Sequence, residues 1–380
     1  MLLYLRNSIF TADKWPIKPK VFSFKKLAHY FRGPSKPKST YTFEDAVSSL
    51  ISILPQLSNV STLDVELKHA PSDVVTPLFQ SICLSFKNLD ELSMCGYLDN
   101  CRVFVEVCES LSGFEKLEVL HVELVNRLSP EQGDRERLGE EDAAILVKSF
   151  APFVGRVAPT LENLGVRSST AVDFSGFYDV LAATDFPALK KLSIRMAFDQ
   201  TLGQPESLKL FLLGCRTSLE DLELRLNIDR AQLDPSTEEL LGTSSRIPLD
   251  PSTEEPLGTW LINFAQNESE FSVENFVFPK LMYLNIYPGN TEAGLQALLF
   301  IIRGSAPTLL ELNIWDRYFP PYQAKVVINT MSGRLKWLRM NAVYLDVELL
   351  DLLVQTLPCL EELWLAVTDV VGSDGVSAFQ

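Results

Sequence analysis

The side chains that most often perform catalysis are scarce in this chain. It has three histidines, His29, His69 and His121, and none of them lies in a recognisable motif. The sequence contains no GxSxG nucleophile elbow, no GxxxxGKS/T phosphate loop, no GxGxxG fingerprint and no HExxH zinc motif. Catalysis needs a positioned acid, base or nucleophile, and abundant carboxylates alone do not provide one. We therefore expect a protein that is not an enzyme.

The six cysteines show no pattern that is typical of a metal site or a disulfide framework. Consecutive cysteines lie 12, 6, 7, 107 and 144 residues apart, unlike the Cys-x-x-Cys spacing of zinc sites. Free thiols buried in a reducing compartment explain them. We therefore expect no metal, no cofactor and a cytoplasmic or nuclear location.

Charge is unevenly distributed along the chain. The whole sequence carries 34 basic and 49 acidic residues, but residues 1–40 hold nine basic residues and a single acidic one, Asp13. The acidic remainder repels nucleic acid, so no nucleic-acid partner is expected. No apolar run approaches the roughly 20 residues that cross a bilayer, so we expect no membrane partner. We predict that residues 1–42 form a basic N-terminal segment or cap that lies against the acidic body of the chain, although its charge alone would also suit an acidic partner, a membrane surface or an import receptor.

A seven-residue phrase organises the rest of the chain, and its clearest copy is LEDLELR at residues 219–225. The apolar residues occupy its first, fourth and sixth positions, and its last three residues alternate as in a half-buried strand. Six of the nine spacings between copies lie between 26 and 30 residues, and helical stretches such as 292–304 fill the intervals. The pattern predicts about ten strand–helix repeats over residues 43–380. The copies begin at Val60, Leu89, Leu117, Leu161, Leu189, Leu219, Leu281, Leu309, Leu335 and Leu360.

Two of the intervals are longer than the rest. The first contains the polar stretch 126–142, which predicts a loop inserted into a normal repeat. The second contains a tandem duplication, with LDPSTEELLGT at 233–243 and LDPSTEEPLGT at 249–259. We predict a second loop insertion near residues 227–259, either an acidic surface excursion alone or one around a degenerate repeat, because loops absorb added length at little cost.

The third, fifth and seventh positions of each phrase alternate with the apolar ones, so they point to the opposite face of the sheet. In three successive copies the seventh position is Arg167, Arg195 and Arg225. Two interpretations are open. The arginines pair with neighbours such as Glu223, or they form a basic stripe that grips carboxylate or phosphate groups.

The same face becomes aromatic after Arg225, with Tyr283, Tyr287, Trp315, Trp337 and Trp364 at outward positions. Exposed tryptophan and tyrosine beside arginine are typical of protein-binding hot spots. The alternative is that some of these rings pack over one another or beneath a loop. We predict that the face binds a protein partner. The predicted partner-binding residues are Arg167, Arg195, Arg225, Tyr283, Tyr287, Trp315, Trp337 and Trp364.

The positions of the leucines resemble those of the leucine-rich-repeat family, and the likeness covers about residues 43–380. The resemblance implies an α/β solenoid, a ribonuclease-inhibitor-like horseshoe with a parallel sheet on its concave side and helices on its convex side. The asparagine that many members carry just after the strand is missing, so something less regular must hold the turn. With the irregular periods, this departure most resembles the repeat regions of fungal F-box proteins.

The F-box resemblance implies the substrate-recognition part of an SCF-type ubiquitin ligase receptor, in which a helical F-box binds an adaptor subunit. Residues 1–42 contain no Leu-Pro start with the helical pattern of that motif. An adaptor is therefore an expected partner only if an F-box lies upstream. The alternative is a scaffold or regulator of the same architecture that is unconnected to ubiquitin, such as a regulator of GTPases.

Overall fold

The computed structural model describes residues 2–6, 43–57, 59–67, 72–111, 114–125, 141–170, 172–198, 202–226, 251–266 and 278–370. They belong to two compact units, Met1–Leu189 and Lys190–Gln380, which are called the first and the second unit. Apart from Leu2–Arg6, the predicted basic N-terminal segment or cap (residues 1–42) lies outside the described residues. So do residues 126–140 and 227–250 of the two predicted insertions, whereas residues 141 and 142 are helical.

The first unit is a row of strands and helices that alternate along the chain. Its strands are β1 (Leu2–Arg6), β2 (Thr62–Leu67), β3 (Glu91–Gly96), β4 (Val119–Leu124) and β5 (Asn163–Ser168). Its helices are α1 (Phe43–Ile53), α2 (Ser72–Ser85), α3 (Leu98–Ser110), α4 (Ala151–Val157) and α5 (Ser175–Ala182). A 3-10 turn follows α1, and a π-helical turn precedes α4. Strands β2 to β5 pair in parallel in sequence order, and β1 pairs antiparallel with β2.

The second unit repeats the same alternation. Its strands are β6 (Lys191–Arg195), β7 (Asp221–Arg225), β8 (Tyr283–Ile286), β9 (Glu311–Phe319), β10 (Trp337–Leu345) and β11 (Glu362–Val370). Its helices are α6 (Pro205–Cys215), α7 (Pro251–Gln266), α8 (Glu292–Ser305), α9 (Pro321–Thr330) and α10 (Val347–Thr356). All six strands pair in parallel, each with the next along the chain.

The repeat phrase builds the core of both units. In the first nine copies, the side chains at the first, fourth and sixth positions are at most 6% exposed. Leu219, Leu222 and Leu224 of the clearest copy are 0%, 1% and 1% exposed. Burial of one such side chain contributes about 1.5–3 kcal/mol, so the recurring triplet of apolar residues drives folding. The α/β leucine-rich-repeat fold class that the phrase predicts is confirmed by this strand–helix geometry.

Individual polar contacts, which differ between repeats, replace the missing asparagines. In the first unit, Asn100 is 5% exposed and donates its amide N–H to the carbonyl of Leu67 at 2.7 Å. In the second unit, Arg317 donates to the carbonyls of Gly289 and Thr291 at 2.6 and 2.8 Å. The turns after the strands are therefore held by unrelated side chains, which is the irregularity that the sequence predicts.

Part of the predicted excursion at 227–259 is helical. Helix α7 includes Leu257, Trp260 and Phe264, which are 1%, 6% and 1% exposed. These residues lie on one face of the helix, because their spacing of three and four residues follows the helical period. The prediction of a loop is therefore wrong for the last part of the segment. The apolar residues that follow the duplication pack in the core and extend the helix back into its second copy.

Candidate functional site

The strand register of the second unit brings its outward residues into rows, with neighbouring strands about 4.8 Å apart. We call the face that carries these rows the open face. The third-position row is Lys191, Asp221, Tyr283, Glu311, Trp337 and Glu362. The fifth-position row is Ser193, Glu223, Asn285, Asn313, Arg339 and Trp364.

The seventh-position row is shorter than the sequence predicts. Arg195 and Arg225 pair in register on β6 and β7. The row is interrupted further along, because the register of β9 and β10 shifts so that Asn341 faces Tyr318 instead of Trp315. An irregularity of this kind bends a strand and redirects its side chains. The seventh positions therefore do not form one continuous column through the second unit.

Arg195 is held by a carboxylate of its own sheet. Glu223 is 8% exposed, and its Oε2 accepts hydrogen bonds from Arg195 at 2.9 Å and from the Ser193 hydroxyl at 2.6 Å. Its Oε1 accepts from the Asn285 amide at 2.9 Å. A buried carboxylate requires such partners, so this geometry favours the pairing of Arg195 with Glu223 over the basic stripe.

Arg167 lies on the sheet of the first unit. Its guanidinium Nε lies 3.5 Å from a carboxylate oxygen of Glu123 on the neighbouring strand. On the same pair of strands, His121 lies directly over Gly165, where a Cβ atom would stand 2.2 Å from its Nδ1. Only glycine leaves room for the imidazole in that place. The arginine and the histidine of this unit are thus both fitted to their own neighbours.

Two arginines lie against the ring of Trp315. The guanidinium carbons of Arg225 and Arg339 are 4.2 and 4.0 Å from the centroid of the indole, and the indole N–H donates to Asn285. A cation–π contact of this kind contributes about 0.5–2 kcal/mol. The stacking holds both planar guanidinium groups in fixed positions. In the part of the chain that the structure describes, Arg339 makes no hydrogen bond of its own.

Three of the predicted aromatic residues line the third- and fifth-position rows. Tyr283 and Trp337 are half-buried, and Trp364 is 57% exposed. The indole N–H of Trp364 donates to the carboxylate of Glu362. Hydrogen bonds from Trp364 and then from Trp337 lower the pKa of Glu362. The tryptophans thus hold a charged carboxylate in place on the open face.

Tyr287 does not lie on the open face. Its side chain is 2% exposed, and its hydroxyl donates to Oε1 of Glu254 at 2.9 Å. The outward orientation predicted for it is therefore wrong. The reason is that β8 ends at Ile286, so the alternation of a strand no longer governs the next residue.

Tyr287 belongs to a buried polar network that sequence reasoning missed. Glu254 is 9% exposed and also accepts from the Asn290 amide at 2.7 Å. Arg317 is 3% exposed and anchors the loop between β8 and α8 through the two carbonyls described above, and it also donates to the side chain of Gln323 on α9. Burial lowers the pKa of Arg317. The network joins helix α7, this loop and strand β9, so its role is to hold the turns of the second unit.

Two residues of the open face were also missed, Glu311 and Arg339. Both occupy outward positions of the phrase, so the alternation that identified the tryptophans also marks these two charges.

Within the described ranges, no group of three or more histidine, cysteine or carboxylate side chains could hold a metal ion. Within the same ranges, no helix has the length and apolar character that crossing a membrane requires.

Comparisons with known proteins add little to this geometry. No protein-family model and no curated protein matches the chain. A solved structure of a protein from Bacteroides fragilis is similar with a TM-score of 0.39 and 12% identity over 99% of this chain and 98% of that chain. The leucine-rich repeat-containing protein LegL7 from Legionella pneumophila is similar with a TM-score of 0.39 and 11% identity over 86% and 88%. At these values the likeness carries no argument, and the fold class rests on the repeat geometry.

Proposed function

We propose that this chain is a protein-binding repeat scaffold without enzymatic activity, and that its partner docks on the open face of the second unit. The observation that carries the proposal is the neighbouring pair of half-buried Trp337 and exposed Trp364, beside Trp315 and its two stacked arginines. Partly exposed tryptophan and arginine held in fixed positions supply contact area at little cost in conformational entropy. We also propose that Arg167 contacts the partner on the corresponding face of the first unit.

The individual residues contribute differently to the proposed surface. Trp337, Trp364 and Tyr283 would contact the partner directly, and Arg225 and Arg339 would present donors beside Trp315. Arg195 would act mainly through Glu223, since removing it leaves a buried carboxylate with fewer partners. A test of binding is therefore best made on Trp337 and Trp364.

Replacement of both Trp337 and Trp364 by serine is expected to reduce capture of the partner at least about tenfold, because hot-spot aromatics dominate binding energy. The measurement is affinity capture from a cell extract, with the captured proteins quantified by mass spectrometry. Tyr322→Ser is the matched control, since Tyr322 is 77% exposed but lies on helix α9. Capture of the same protein by wild type and by both variants would contradict the proposal.

For the cellular role of the scaffold, we propose the substrate-recognition part of an SCF-type ubiquitin ligase receptor. This proposal is supported by the resemblance of the irregular repeats to those of fungal F-box proteins. The test is purification of the tagged full-length protein from its native cell, followed by a search for the adaptor and cullin subunits. Recovery of both subunits is expected. Recovery of a GTPase without either subunit would favour the alternative, a regulator unconnected to ubiquitin.

A further inference from the structure

The edge of the open face at which the strands begin carries carboxylates and aromatic rings in alternation. From β7 to β11 the third-position row reads Asp221, Tyr283, Glu311, Trp337 and Glu362, with each residue in register with the next. Carboxylates therefore recur on every second strand, about 10 Å apart. An aromatic ring stands between each consecutive pair. This arrangement differs from the arginine-bearing rows on the same face.

The three carboxylates of this row differ in their partners. Asp221 lies 2.6 Å from the ammonium group of Lys191, so its charge is already compensated. Glu362 accepts from the tryptophan indoles, which donate hydrogen bonds but bring no positive charge. Glu311 is exposed, and among the described residues its carboxylate makes neither a hydrogen bond nor an ion pair. Two adjacent carboxylates thus lack a cation, and Trp337 lies between them.

Trp337 also differs from the other half-buried tryptophan of the face. The ring of Trp315 carries two guanidinium groups at about 4 Å, whereas no cation of the described part of the chain lies over Trp337. The negative face of an indole attracts cations, and the attraction is stronger when carboxylates flank the same position. Glu311, Trp337 and Glu362 therefore form a group, called the triplet below, that is preorganised for a positive charge.

The uncompensated charge on the triplet has an energetic consequence. Partial desolvation and the nearby carboxylates of Asp221 and Glu362 raise the pKa of Glu311, and Lys191 offsets this only in part. Because the folded state favours protonated Glu311, the folded chain gains stability as the pH falls through this raised pKa. At neutral pH the carboxylate is therefore mildly unfavourable for folding, and an incoming cation would relieve the repulsion.

We propose that the triplet binds a lysine or arginine side chain from an extended basic segment of the protein partner. The proposal rests on the proposed function, since it names the chemistry of a partner on the same open face. The cation would lie over the Trp337 ring within reach of both carboxylates, which a single positive group can bridge. The net charge of −15 of the whole chain adds long-range attraction for such a segment.

The test is titration of the full-length protein with hexalysine and hexaarginine amide, monitored by tryptophan fluorescence and calorimetry. Glu311→Gln is expected to weaken binding about tenfold, because one of the two carboxylates that hold the cation is lost. Asp351→Asn is the matched control, since Asp351 is an exposed carboxylate on helix α10. The control is expected to change affinity by less than about twofold, as befits a distant, screened charge.

The melting temperature of Glu311→Gln separates a binding role from a structural one. We expect it to equal or slightly exceed that of wild type at neutral pH, because the substitution removes like-charge repulsion. Equal weakening of peptide binding by Glu311→Gln and Asp351→Asn would overturn the proposal, since it would indicate attraction without a site. Competition by tetramethylammonium at the concentrations at which hexalysine binds would also overturn it, in favour of a site for small cations.

The basic N-terminal segment of the chain itself is the other possible occupant. A variant with Lys18, Lys20, Lys25 and Lys26 replaced by glutamine is expected to bind hexalysine as wild type does. Markedly tighter binding by this variant would show that the segment occupies the triplet, which would overturn the proposal of an external partner. If Glu311→Gln fails to weaken peptide binding while the Trp337 and Trp364 double variant still loses partner capture, only this inference falls.

Discussion

Arg317→Met is expected to lower the free energy of unfolding by about 3–5 kcal/mol, as removal of one member of a buried charged network typically does. The guanidinium is 3% exposed and donates to the carbonyls of Gly289 and Thr291 and to the side chain of Gln323. Methionine fills a similar volume but donates nothing. The carbonyl of Gly289 would then lose this donor, the carbonyl of Thr291 would keep the backbone N–H of Leu295, and Glu292 and Glu254 would lose a compensating positive charge.

The control for this prediction is another arginine that donates to a backbone carbonyl. Arg334 donates to the carbonyl of Pro307 at 2.8 Å but is exposed. Arg334→Met is expected to change stability by less than about 0.5 kcal/mol, because water replaces an exposed donor at little cost. Both variants would be measured by urea denaturation of the full-length protein. Similar losses in the two variants would contradict the view that burial of Arg317 decides its contribution.

Gly294→Ala is expected to destabilise the protein by about 3 kcal/mol, the upper range for overpacking of a tight contact. Gly294 lies in the first turn of α8, and a Cβ at this position would stand 1.8 Å from the carbonyl oxygen of Pro288. Its backbone N–H also donates to the hydroxyl of Thr291, which caps the helix. The clash involves backbone, so the helix must shift and the cap must weaken.

Gly214→Ala is the same substitution as Gly294→Ala, but we expect it to raise the stability of the protein. Gly214 is an exposed residue of helix α6, and a Cβ there meets no heavy atom within 4 Å. Because alanine has the higher helix propensity, this substitution is expected to stabilise the protein by about 0.5–1 kcal/mol. Thermal denaturation followed by circular dichroism would compare the two variants. Destabilisation by both would show that close approach to Pro288 is not the determining factor.

The sequence predicts the core because the fold repeats one short rule. The three positions that Leu219, Leu222 and Leu224 occupy are apolar in each copy of the phrase. A period found in the sequence therefore corresponds to rows of buried side chains in the structure. The outward positions follow from the same alternation, and they place Trp337 and Trp364 correctly on the open face. The core and outward positions of each repeat can therefore be predicted from the sequence alone.

The contacts between outward residues cannot be read in the same way. The pairing of Arg195 with Glu223 and the stacking of Arg225 on Trp315 join residues 28 and 90 positions apart. Several rotamers of a long side chain reach different neighbours, and only the packed sheet selects among them. Tyr287 shows a second limit, because the end of a strand changes orientation without a change in the spacing of leucines.

Helix α7 shows a third limit, because part of this helix comes from a tandem duplication that the sequence pattern alone identified as a loop. The duplicated segments 233–243 and 249–259 differ only at Leu240 and Pro256. The second copy runs directly into the apolar half of α7, and it contributes an interior proline, a residue that costs a helix about 3 kcal/mol.

Recombination between the two copies, which would remove the sixteen residues 243–258, joins the first copy to the same downstream half of the helix. The product places Glu238 where Glu254 now binds Tyr287 and Asn290, and it places leucine where the proline now stands. The shortened chain would therefore keep every residue type that α7 now buries, on a helix without an interior proline.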